Sequence, residues 1–91
     1  MRPLNNREQE LIDRRNKRTK NPYYPTDSTL VEYQKKSNRT TVCVLHDQDF
    51  LSNDIELRIG VSVCSPNDRV HEEAGREIAF MKALRSEPIY V

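Results

Sequence analysis

Residues 55–64 read Ile-Glu-Leu-Arg-Ile-Gly-Val-Ser-Val-Cys, and no other feature constrains the fold as tightly. Ile55, Leu57, Ile59, Val61 and Val63 alternate with Glu56, Arg58, Gly60, Ser62 and Cys64. A period of two over this length is a strand with one face in the core. The expectation is that the five aliphatic residues form that buried face. Residues 39–46, Arg-Thr-Thr-Val-Cys-Val-Leu-His, are rich in β-branched side chains and supply the neighbouring strand. The eight residues between them, 47–54, read as the connection of an antiparallel hairpin.

Two strands need a cover. Residues 65–68, Ser-Pro-Asn-Asp, form a turn ending in a good N-cap, Asp68, and predict a helix over 69–86. Val70, Ala74, Ile78, Met81 and Leu84 fall on one helical stripe that should lie on the sheet. Ser86, Glu87 and Pro88 stop the helix. Ile89, Tyr90 and Val91 either add an edge strand or trail.

The first part of the chain is less apolar. Residues 1–20 predict a thinly amphipathic helix. Asn5 or Asn6 caps it, Glu8 and Glu10 suit the positive end of its dipole, and Arg14, Arg15, Lys17, Arg18 and Lys20 suit the negative end. With only Leu4, Leu11 and Ile12 as anchors, it should dock weakly and contribute little to folding. Pro22 and Pro25 break the chain over 21–28 and make Tyr23 and Tyr24 the packing residues of a linker. Thr29 and Glu32 have capping-box spacing, which predicts a short helix over 30–36 with Leu30 and Tyr33 on one side. The expected organisation is a basic helical arm and Pro-rich linker over 1–28, followed by an α+β domain over 29–91. In that domain a short antiparallel β-sheet is packed by a C-terminal helix.

Ninety-one residues make one domain. Only 35% of them are apolar against 32% charged, which is thin core material. Either part of the chain lies outside the core or a second subunit completes it. The net charge of +1 is unevenly spread. Residues 1–39 hold ten Lys and Arg against five Asp and Glu, and residues 40–91 hold five against nine. Two surfaces with different roles follow from that split. No apolar run approaches the ~20 residues of a membrane helix, and the N-terminus has no apolar signal core. The expected location is cytoplasmic, with no membrane partner and reduced thiols.

Catalytic and metal chemistry find little support in these residues. Cys43, His46, Cys64 and His71 are zinc-ligand types, but Cys43 and His46 would point to opposite faces of one strand. A Cys43–Cys64 disulfide would need Cα atoms within ~7 Å. If His46 lies near Ile55, Cys43 faces Arg58 and Cys64 sits near Ser37, too far for a bridge. Asp47, Asp49 and Asp54 share a loop without the spacing of a calcium site. No Ser, Cys or His stands in a nucleophile motif, and two glycines do not build a phosphate-cradling loop. The expectation is a non-enzymatic protein with no cofactor and no metal.

Binding readings fare better. Arg14, Arg15, Lys17, Arg18 and Lys20, followed by Tyr23 and Tyr24, combine charge with stackable rings and allow nucleic-acid binding; the bland reading is a solvated helix end. Gly75, Ala79 and Ala83 are spaced by four. Such a strip admits a close helix–helix interface between two copies, or close packing against the chain's own N-terminal segment. A two-copy crossing would gather Arg76 and Lys82 from both chains, and with Arg58 and Arg85 they form a candidate ligand- or partner-binding set.

Residues 60–84 carry a wider pattern. A strand ends at Cys64. A Pro-x-Asp turn at 66–68 caps a helix, which then carries Gly75, the Ile78-Ala79 pair, and Lys82 before Ala83-Leu84. This resembles small accessory proteins of tailed bacteriophages, with Val70 standing where an aromatic residue is usual. The resemblance implies a non-catalytic phage protein in the host cytoplasm. Such a protein would counter a host defence or redirect a host process, by sequestering a small anionic nucleotide or by docking on a host protein, and would tend to form a homo-oligomer.

Overall fold

The computed structural model describes residues 1–48, 51–67 and 69–91. It is an α+β fold: β1 (Arg2–Pro3), α1 (Asn6–Asn16), β2 (Leu30–Ser37), β3 (Thr40–Gln48), β4 (Ile55–Val63), α2 (Glu72–Arg85) and β5 (Ile89–Tyr90). The strands form one antiparallel sheet in the order β1-β2-β3-β4-β5. Both helices lie on one side of it. The core between the layers holds Ile12, Val31, Cys43, Leu45, Phe80 and Leu84.

The register of the central hairpin pairs Gln48 with Ile55 and Cys43 with Gly60, not Cys43 with Arg58. Cys64 accordingly lies beside Arg39 rather than Ser37, its N–H donating to the Arg39 carbonyl at 2.7 Å. Neither cysteine is in a disulfide. Asn53, at φ 60°, takes the left-handed conformation just before β4, one that asparagine tolerates.

Residues 30–37 are a strand, not the short helix that the Thr29/Glu32 spacing suggests. Val31 and Tyr33 point toward the helices while Leu30, Glu32 and Gln34 point away, a period of two. The Thr29 side chain caps nothing. It donates to Asp47 at 2.5 Å and accepts the Thr26 N–H at 2.9 Å. Pairing along the whole edge of β3 outweighs a weak local helix signal.

The orientation of β4 also differs from expectation. Gly60 and Ser62 are buried against α2, whereas Ile59, Val61 and Val63 are 39%, 41% and 68% exposed on the opposite face. The cause is how closely α2 crosses. A Cβ on Gly60 would overlap the Ala79 carbonyl oxygen and the Ala83 amide nitrogen. With the two backbones in contact, no branched side chain fits between them.

Helix α2 is therefore turned relative to its expected stripe. Its buried residues are Ala79, Phe80, Ala83 and Leu84, while Ile78 is 49% exposed and Val70 is also exposed. The Gly75/Ala79/Ala83 strip lies on the chain's own sheet, not on a second copy's helix and not on the N-terminal segment. Helix α2 starts at Glu72, three residues later than expected, with His71 as its N-cap. Asp68, the expected cap, and Asp49 of the acidic loop lie outside the described residues.

Residues 1–28 share the same core. Asn5 and Glu8 form a reciprocal capping box that starts α1. Ile12 is only 1% exposed, and Leu11 and Tyr23 belong to the buried cluster. The linker folds back because Asn16 clamps the Tyr23 backbone at 2.7 and 2.9 Å. The segment is thus an integral layer of the domain. Three apolar anchors suffice because they insert beside Phe80 and Leu84 rather than resting on the surface.

Candidate anion-binding groove

Two buried polar clusters fasten the N-terminal layer to the sheet. In the first, Glu8 accepts Arg2 at 2.7 and 3.0 Å, the Tyr33 hydroxyl at 2.5 Å and the Asn5 N–H at 2.9 Å. Burial pushes the Glu8 carboxyl up, but these donors outweigh it and hold it below its usual range. Burial first, and then Glu8, push the Tyr33 hydroxyl upward. Burial pushes the Cys43 thiol up to about 12, keeping it protonated and unreactive. In the second cluster, Asp47 accepts from Tyr23 at 2.6 Å and from Thr29 at 2.5 Å. Burial and this carboxylate raise Tyr23 as well. Every donor and acceptor in these clusters meets another part of the fold, so they are fastenings rather than reactive centres.

Arg58 belongs to this framework too. Its guanidinium lies 5.2 Å from the Tyr23 ring centroid, donates to the Ser86 carbonyl at 3.2 Å and pairs with Glu56 at 2.6 Å. It thereby ties β4 to the end of α2, while its Nε has no hydrogen-bond partner among the described residues and the residue also lines a cleft with Tyr23 and Pro88. His46 pairs with Leu57 on the face opposite Cys43, as strand geometry requires. Among the described residues, no three His, Cys, Asp or Glu side chains converge to hold a metal ion.

The helices run side by side in the same direction. Arg7 reaches Glu77 at 2.5 Å near their starts, and Arg14, Arg15 and Arg18 line a groove with Met81 and Arg85 near their ends. This groove encloses about 500 Å³ over an apolar floor of Leu11 and Met81. A smaller cleft of about 270 Å³ continues from it past Arg15 and Arg85 to Asn21 and Tyr23. Arg14 pairs with Glu10 at 2.5 Å and Arg15 donates to the Asn21 carbonyl at 3.2 Å. Arg18 and Arg85 are exposed, and their side chains make no hydrogen bond or ion pair among the described residues.

Two helix C-termini meet here, each equivalent to roughly half a negative charge. Four arginines, Arg14, Arg15, Arg18 and Arg85, line the groove, and one of them is paired with a carboxylate, Glu10. The balance of three positive charges exceeds the roughly one unit of dipole, so the groove stays cationic. The structure thus joins the basic N-terminal residues Arg14, Arg15 and Arg18 to Arg85. Arg76 sits apart, near Arg7 and Glu73 at the other end of the helices. The union of α1 with Arg85 was not legible in the sequence, because it depends on α1 lying parallel to α2.

Among the described residues, no helix is long and apolar enough to cross a membrane. Comparisons with family models, with curated proteins and with solved structures return no match.

Proposed function

We propose that this chain is a non-catalytic binding protein and that the groove between the ends of α1 and α2 takes a phosphate-bearing polymer, a nucleic acid. The observation that carries this reading is the convergence of Arg14, Arg15, Arg18 and Arg85 on one open groove, with two of the four unpaired. Open grooves suit a strand that passes across them. A small nucleotide held for sequestration needs ~70–90% of its surface buried, and a shallow cleft between two surface helices does not supply that. Tyr24, exposed in the cleft that Tyr23, Asp54 and Glu56 also line, offers a ring on which a base can stack. In the phage setting that residues 60–84 resemble, such a protein would act on a host nucleic-acid process.

The test is fluorescence anisotropy with a labelled single-stranded oligonucleotide across a salt series. Four arginine contacts predict a slope of log K against log salt of about −3. Arg18→Glu and Arg85→Glu should each weaken binding about tenfold or more at low salt, with unfolding midpoints unchanged. Absence of binding at low salt, or equal binding by both variants, overturns the reading. A nucleotide that raises the melting temperature in proportion to its concentration, with no oligonucleotide binding, would favour the sequestering alternative.

A further inference from the structure

The side of the sheet away from the helices is uncovered among the described residues. The pairing register and the Ile55–Val91 backbone bonds place Leu30, Val42, Val44, Ile55, Leu57, Ile59, Val61, Val63, Ile89 and Val91 on it. These ten aliphatic residues equal in number the buried hydrophobic cluster of the domain itself. Ile59, Val61, Val63, Ile89 and Val91 are 39% to 72% exposed and the other five are half-buried, a contiguous apolar surface of the order of the ~300–600 Å² of the largest, often functional, patch on a typical monomer. We propose that this face is the interface of a homodimer, in which two copies stack sheet on sheet with their helices outermost.

The composition of the face selects a second copy as its occupant. At paired strand positions the lysines and arginines, Arg2, Lys35 and Arg58, all lie on the helix side, as do Asp47 and Glu56. At the paired outer positions Glu32 is the one carboxylate and His46 the one other ionisable residue, too few to recognise an acidic or basic partner. Trp, Tyr, Arg and Met dominate the energetic centres of interfaces between unlike proteins, and the paired outer positions carry none of them. Homodimer interfaces are more apolar and resemble a divided core. A flat, mostly β-branched face with a single carboxylate at its paired positions fits another such face, and the chain itself provides one. Stacking two such sheets face to face would bury the ten aliphatic residues of each copy together with the polar residues at the strand ends, on the scale of the ~800 Å² per partner of a standard interface. Aligned sheet packing buries both faces without moving a helix, so both arginine grooves stay accessible on the outer layers. The inference does not rest on the nucleic-acid reading.

Light scattering on the intact wild-type chain tests it. At about 10 and about 100 µM the particle should have twice the 10.7 kDa mass of one chain, and the melting temperature should rise with concentration because folding and association are linked. Val61→Lys, near the middle of the face, should abolish the dimer. Val63→Lys, more exposed and nearer the end of β4, is a second variant that should weaken dimerisation while circular dichroism reports an intact fold. A wild-type monomer at both concentrations overturns the proposal. So does a dimer that survives both substitutions, because the interface then lies elsewhere.

Discussion

The two faces of β4 exchange the roles that their side chains suggest. Toward the helices the strand presents Arg58, Gly60 and Ser62; away from them it presents Ile59, Val61 and Val63. The difference comes from volume rather than polarity. Where α2 crosses, the two backbones nearly touch and only Gly60 and Ser62 fit beneath Ala79 and Ala83. Further from the crossing, Leu45, Cys43 and Phe80 fill the wider gap. An alternating pattern therefore identifies a strand and its two faces without saying which face the same chain covers.

The most severe way to break the contrast is to add volume on the covered face. Gly60→Val would push a branched side chain into helix backbone, which has no rotamer with which to yield. Overpacking commonly costs ~1–3 kcal/mol and more where nothing relaxes, so a loss of at least about 3 kcal/mol is expected here. In a domain of this size that lowers the melting temperature by more than about 12 °C, as read by circular dichroism. A variant within a few degrees of wild type would mean that α2 does not cross at Gly60.

A smaller effect is expected at the polar fastening on the same side. Glu8 is buried and accepts from Arg2, Tyr33 and the Asn5 backbone. Hydrogen bonds to a charged group are worth ~1.5–3 kcal/mol, so Glu8→Gln should cost about 2 kcal/mol at neutral pH. The folded carboxyl titrates below its ordinary value of 4.5, so the folded state holds fewer protons than the unfolded one. Its contribution is complete above that ordinary value and is lost as pH falls through the lowered one. Urea titrations at several pH values should show wild type and variant converging under acid. A gap that stays constant down to low pH would show that the Glu8 charge does not matter.

The elements legible in the sequence were those with a strong internal period or cap. The alternation of 55–64 located β4, the β-branched run located β3, and the Asn5-Asn6 pair marked the start of α1, of which Asn5 is the cap. The errors have one physical source: each missed feature is set by a partner distant in sequence. Residues 30–37 become a strand because β3 offers an edge, against the local hint from Thr29 and Glu32. Phe80, the largest fully buried side chain, escaped notice because the Val70/Ile78 stripe looked continuous. The pattern Ala79-Phe80 and Ala83-Leu84 is an equally good helical stripe, and the small residues within it were the available signal. The groove shows the same division. Its arginines were visible as a cluster in α1, whereas Arg85 joined them only through the docking of two helices.

The smallest effect is expected on the open face, and replacing valine by threonine, which nearly conserves shape and adds one hydroxyl, compares it with the covered one. Val31, on the covered face, is 1% exposed. Threonine there would bury a hydroxyl among Leu45 and Ile12, and an unpaired buried hydroxyl costs ~1–3 kcal/mol. The same change at Val61 on the open face leaves the hydroxyl in water as long as the chain is alone. Exposed substitutions of that kind stay within about 0.5 kcal/mol. Protein concentration then separates the two faces. The penalty at Val31 belongs to one chain's core and should be the same in dilute and concentrated samples. The penalty at Val61 should be nearly absent in dilute solution and grow as copies meet, because association removes the water that the hydroxyl needs. Melting curves of both variants over a wide concentration range measure this directly. A Val61 penalty independent of concentration would show that the outer face behaves as ordinary surface at every concentration sampled.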